Sequence, residues 1–302
     1  MEYVGGKHLS VCQQENHMEL PYLKFYGLKE EPFSTVPSPR YLFLTDMHST
    51  ALEKTSYVVG AKKGLVSVFG DTGTGKSSLA RLLHQKFLDN SFVSVLLTNP
   101  NYPTQNSLLR TIAQEFGTSR TDKSFKGMLD IFKAFLIEQA LDQGKTVVLI
   151  IDEAQTLGFP LLELLRQLIN VETNQMKLLQ VVLFAQEELR SKLAHARARN
   201  LRSRIVLAST LERLGAKEVA DMVSFRWQVA SGGAKHPFSD EALMALFEYS
   251  EGIPREATIL ADNALLLGFY QQKSVIDKSV VEAAAADRRN SLGGKETKHG
   301  ER

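Results

Sequence analysis

The 302-residue chain has a single cysteine, Cys12, so no disulfide can close within it and a reducing compartment is expected. No apolar run reaches the roughly 18 residues that would span a bilayer, and no basic, apolar and small-residue succession opens the N-terminus. Neither a membrane span nor an export signal is therefore expected, and the cytoplasm is the default location. An excess of one charge is lacking as well: 36 Lys and Arg stand against 34 Asp and Glu, a net +2. Any electrostatic case for a nucleic acid or membrane partner must be local. Internal repeats are absent. Apolar residues make up an ordinary 43%, enough to bury the core of one α/β domain and a smaller appended one.

Four stretches follow from composition and periodicity. Residues 1–21 lack periodicity and turn polar, which predicts a flexible leader. From 22 to 210 the pattern is α/β, beginning with a stretch over Lys24 to Leu44 in which Pro32, Pro37 and Pro39 exclude a regular helix and favour an extended surface segment. Apolar runs of strand length follow at 65–69, 92–97, 147–151 and 179–184, with a short one at 205–207. Helical patterns lie between them at 76–87, 105–116 and 160–171. Runs so uniformly apolar suit strands buried on both faces, hence a parallel sheet between helices. Residues 211–287 read as helices only, a small helical domain, and 288–302 as a polar, disordered tail.

Gly70-Asp71-Thr72-Gly73-Thr74-Gly75-Lys76-Ser77, with Ser78 next, fits the phosphate-loop pattern of Gly, four residues, Gly-Lys and a hydroxyl residue. It follows a strand and opens a helix, the context that separates such a loop from an idle glycine-rich turn. Backbone N–H groups and the helix N-terminus would face the phosphates, Lys76 would reach the terminal ones, and the Ser77 hydroxyl would ligate Mg2+. The apolar run 147–151 ends in Asp152-Glu153, at the strand end where α/β sheets bind ligands. Asp152 would hold the metal and Glu153 would activate the attacking water. Gln186, at the end of the next apolar run, either senses the γ-phosphate or helps position the water, or else caps the following helix. Together these motifs predict an ATP-binding, ATP-hydrolysing P-loop NTPase.

Between Arg190 and Arg204 stand Arg190, Lys192, Arg197, Arg199, Arg202 and Arg204, plus His195, with no acid. Three readings compete: an arginine finger reaching a neighbouring copy's ATP, for which Arg202 and Arg204 are best placed, a patch for DNA phosphates, or a solvated helix face.

Beyond these motifs the chain resembles the ExeA-like group of AAA+ ATPases, itself related to the TnsC and MuB-type regulators of transposases. The resemblance rests on Phe25-Tyr26-Gly27-Leu28, Pro32-Phe33, Pro37-Ser38-Pro39-Arg40, Tyr41-Leu42-Phe43 and His48, on Leu201-Arg202-Ser203-Arg204-Ile205, and on Gly252-Ile253-Pro254-Arg255. It covers residues 22–287. It implies an αβα core with a helical lid, an adenine site near the Phe25–His48 segment and a γ-phosphate sensor at Arg255. Secretion-associated members continue into a membrane span and a periplasmic part, where this chain has a short polar tail. The expected activity is thus a Mg2+-dependent ATPase that forms a ring or filament on double-stranded DNA and recruits a transposase, with a secretion-type ATPase or a protein-only nucleotide switch as alternatives.

Overall fold

A computed structural model describes residues 20–291, so the expected leader up to residue 19 and the tail from 292 lie outside the described residues. Residues 288–291, placed in the tail, instead continue the last helix. Five strands form the sheet: β1 (Leu65–Gly70), β2 (Phe92–Leu97), β3 (Thr146–Ile151), β4 (Leu179–Ala185) and β5 (Ile205–Leu211). Every pairing is parallel, in the order β2-β3-β4-β1-β5. α1 (Pro21–Tyr26) packs with the helical unit, and the helices of the α/β part are α2 (Asp46–Gly60), α3 (Lys76–Lys86), α4 (Gln105–Glu115), α5 (Phe125–Ile137), α6 (Phe159–Ile169), α7 (Glu187–Ala194) and α8 (Arg199–Arg202). The helical unit comprises α9 (Ala216–Ser231), α10 (Asp240–Ser250), α11 (Pro254–Tyr270) and α12 (Lys278–Ser291).

Side chains alternate across the pleat, so β3 divides its apolar residues between two layers. Val147, Leu149 and Ile151 join the layer beneath α4, α5 and α6. Val148 and Ile150 join Val58 of α2 and Leu83 of α3 on the opposite face. Both faces are covered, as the uniform apolar runs require. A third cluster holds the lid together around Trp227, Leu246, Ala261 and Val281.

The proline-containing segment departs from expectation. It is not simply extended on the surface: α1 precedes the prolines, opening on Pro21 at a position where the missing N–H costs nothing, and a short 3-10 turn spans Pro39–Tyr41. Tyr22, Leu28 and Phe33 are buried within the lid cluster. The prolines keep residues 27–38 free of helix, while burial of Tyr22, Leu28 and Phe33 draws the segment into the lid instead of leaving it on the surface. Among the described residues, no helix is long and apolar enough to cross a membrane.

Candidate active site

In a parallel sheet of this order, β4 lies between β3 and β1. The C-terminal ends of three adjacent strands therefore deliver Asp152 and Glu153, then Gln186, then Gly70. The phosphate loop turns from β1 into α3 through Gly73 and Gly75, whose φ values of 83° and 97° lie in the left-handed region that glycine adopts freely. The first N–H groups of α3 are left to face an anion. Lys76 is 4% exposed, and its Nζ donates to Gly70 O (2.9 Å) and Asp71 O (2.7 Å). Burial lowers its pKa from the usual lysine value, while the charges of Glu153 and Asp152 oppose that shift.

Asp152 is equally buried. Burial raises its pKa, against hydrogen bonds from the Ser77 hydroxyl and the Glu153 N–H, the latter 3.0 Å from Oδ1. A hydroxyl and a buried carboxylate side by side are hard oxygen donors, and a divalent cation would neutralise the charge that burial penalises. That donor set fits Mg2+, which takes one or two protein oxygens and completes its shell with phosphate and water. No group of three or more His, Cys, Asp or Glu able to hold a metal occurs among the described residues, so the phosphates would be needed to complete the site.

Glu153 adopts φ 55°, ψ 35°, a left-handed backbone that costs a non-glycine residue about 1 kcal/mol or more and is characteristic of functional positions. Its Oε2 accepts from Gln186 Nε2 (3.3 Å) and from Gln155 Nε2. Gln186 Oε1 in turn accepts the Thr72 hydroxyl (3.1 Å). Gln186 does occupy the N-cap position of α7, yet its side chain makes no capping bond; it links the phosphate loop to Glu153 instead.

The lid closes on the loop from the other side. The Arg255 N–H donates to Gly73 O (3.2 Å), and Arg255 lines the cleft with Ser77, Ser78 and Glu153. Arg213 spans the two parts, 3.5 Å from Asp71 and 2.7 Å from Glu251. Residues 34–37 and 41–43 wall the cleft beyond the phosphate loop, together with Leu214, Met222 and Arg226 of the lid. Arg226 donates to Ser34 O (3.1 Å), and burial pushes its pKa down to about 10. His48 Nε2 lies 3.1 Å from Thr74 O, and Nδ1 lies 2.7 Å from the Thr45 hydroxyl. A carbonyl only accepts, so Nε2 carries the proton, and burial keeps the ring neutral by lowering its pKa.

The basic stretch is not one surface. Arg190 pairs with Glu187, donates to the Thr210 hydroxyl and lies over the Phe69 ring. Arg197 covers the Phe159 ring. Lys192 turns inward onto backbone carbonyls. Arg199, Arg202 and Arg204 are exposed and their side chains form no hydrogen bond or ion pair among the described residues. Arg204 directly precedes Ile205, which pairs with Leu65 at the start of β1. Arg202 and Arg204 thus sit at the opposite end of the sheet from Gly70 and do not enter their own chain's cleft.

Residues 60–193 match a family model described as AAA domain. The chain is 37% identical over 265 residues to General secretion pathway protein A of Aeromonas hydrophila, covering 87% of this chain and 48% of that one. The chain belongs to the ExeA-like AAA family. This ExeA-like chain spans about half the length of that relative. Its fold is that of P-loop AAA+ ATPases: the Aeropyrum pernix ORC2 protein superposes with a TM-score of 0.64 at 15% identity, over 89% of this chain and 76% of that one. Cdc6p from Pyrobaculum aerophilum gives 0.67 at 14% identity, over 86% and 71%. Of the residues in and around the cleft, the sequence alone does not single out Gln155, Arg213 or Arg226, and it shows Lys192 only as one cation of the basic stretch. None belongs to a spaced motif, and each is brought to its place by tertiary contacts.

Proposed function

We propose that this protein hydrolyses ATP with Mg2+ and that a second copy completes the site. The observation that carries the reading is the convergence of Lys76, Ser77, Asp152 and Glu153 at the ends of neighbouring strands, closed over by Arg255. The loop amides and Lys76 bind the phosphates, and Ser77 and Asp152 hold the cation, which would offset charge on the terminal phosphate oxygens. Glu153 accepts a proton from the attacking water while Gln186 aligns it against the γ-phosphate. Arg255 reports the γ-phosphate to the lid, and Arg202 or Arg204 reaches the ATP of the adjoining copy.

Replacing Lys76 with Ala should abolish nucleotide binding or turnover. Glu153→Gln should retain ATP with hydrolysis lowered at least about 100-fold, as expected for a lost general base. Phosphate release and fluorescent-nucleotide binding measure the two effects, and a Glu153→Gln variant that turns over at the original rate refutes the assignment.

The process served is proposed as assembly on double-stranded DNA to recruit a transposase. Its supports are the resemblance to transposition regulators and the exposed, unpaired arginines at 199, 202 and 204. Binding to duplex DNA in ATP should weaken steeply as salt rises, because phosphate contacts release counterions. Absent or salt-insensitive binding overturns this reading. It would favour a second one, an ATPase serving secretion, which the 37% identity to General secretion pathway protein A supports.

A further inference from the structure

We propose that Gln155 and Lys192 are positioning residues that lock Glu153 in place. The inference rests on the ATPase reading above for the role of Glu153. Gln155 lies in the 3-10 turn Ala154–Thr156 that follows the two carboxylates. Its side-chain amide faces two ways: Nε2 donates to Glu153 Oε2, and Oε1 accepts the N–H of Gln186 (3.1 Å). One side chain therefore fixes the spacing between the turn after β3 and the end of β4, where Gln186 also reaches Glu153. The left-handed backbone of Glu153 is a conformation that a glutamate leaves unless its surroundings hold it. The turn supplies that hold only if it is itself held.

Lys192 provides this second tie. Its stem crosses from α7, and Nζ donates to the carbonyls of Gln155 and Leu157 (3.1 Å for the latter). In the sequence this lysine is one of six cations without an acid, a candidate for contacting external phosphate. In the structure it is half-buried and forms no ion pair among the described residues. Carbonyl dipoles in the middle of the turn and just beyond it are what it satisfies. The order of dependence is therefore Lys192, turn, Gln155, Glu153.

Two variants of similar length, Gln155→Met and Lys192→Met, test this against wild type, with Glu153→Gln as reference and Lys192→Arg as the conservative variant. Gln155→Met should lower kcat about tenfold or more, the size expected for a misplaced catalytic group, while KM and nucleotide affinity stay within about twofold. Lys192→Met should lower kcat less, Lys192→Arg should restore it, and the double variant should be no slower than Gln155→Met alone, since both act on one element. Independently of turnover, hydrogen exchange of the nucleotide-free protein should show the Gln186 amide losing about tenfold protection in Gln155→Met. A Gln155→Met protein with wild-type kcat and unchanged Gln186 exchange overturns the proposal, as do effects that multiply in the double variant. Equal phosphate release by wild type and Glu153→Gln would instead overturn the ATPase reading, and the exchange measurement tells the two failures apart.

Discussion

At Gly73 the phosphate loop and the lid meet within a few ångströms. A Cβ there would fall 2.9 Å from both Arg255 Cβ and Ile253 Cγ2, and φ is 83°. The same residue's carbonyl accepts the Arg255 N–H. Gly73→Ala should therefore strain the loop and push α11 away, removing Arg255 from the cleft. Nucleotide affinity is expected to fall about tenfold or more, equivalent to about 1.4 kcal/mol, as read by titration with a fluorescent ATP analogue; unchanged affinity would mean that the lid contact is idle. The motif requires only that Gly70 and Gly75 be glycines, so the reason for a third between them is not visible in the pattern. It becomes visible once residues 180 positions away arrive beside it.

Among the elements, the short helix α1 is tied to the lid by hydroxyls of Tyr22 and Tyr26, the latter donating to the Leu265 and Lys273 carbonyls. Tyr22 is 1% exposed, and its hydroxyl donates to Asp262 Oδ1 of α11 at 2.5 Å. Burial raises the pKa of Asp262, and the bond from Tyr22 opposes that rise. A raised folded-state pKa means that the contribution of Asp262 to stability is full below the unfolded value and is lost as pH climbs through the folded one. Tyr22→Phe removes the donor that supports the carboxylate, so it should destabilise by about 1–3 kcal/mol where Asp262 is ionised. The loss should be smaller near pH 4 than at pH 8. Thermal melting of both proteins across that range checks it, and a pH-independent difference would exclude the Tyr22–Asp262 bond as the cause.

β1, β3 and β4 were legible because each is apolar and buried on both faces, whereas β5, exposed along Val206, Ala208 and Thr210, showed only its apolar start at 205–207; α3, α6 and α9–α12 were legible because cap and breaker residues bracket their periodic stretches. α5 was not, since Gly127 interrupts its first turn and its side chains Phe125, Met128 and Phe132 pack into a layer formed by distant elements. The site divides the same way. Lys76, Ser77, Asp152 and Glu153 stand in contiguous motifs, whereas Lys192 looked like surface charge until the turn it supports was in place.

For the whole molecule, the separation of Arg202 and Arg204 from their own cleft makes a specific demand on an assembly. If these arginines act on a neighbour, a Lys76→Ala chain, with an inactive cleft and intact arginines, should rescue an Arg202→Ala/Arg204→Ala chain, with an intact cleft. Mixing the two inactive proteins should restore a measurable fraction of wild-type phosphate release, rising with total concentration. Mixtures as inactive as their components would place the two arginines outside catalysis.

The burial of Tyr22, Leu28 and Phe33 among α9–α12 means that the earliest described residues and the last helices form a single body. The polypeptide passes between that body and the sheet twice: between Phe43, packed against the lid, and Ala51, packed under the sheet, and again between Leu211 of β5 and Leu214. One covalent crossing would let the lid swivel in any direction, whereas two points define a line. Any rotation of the lid over the cleft would therefore have to bend the chain at both crossings, and would break the bond from the Arg255 N–H to Gly73 O.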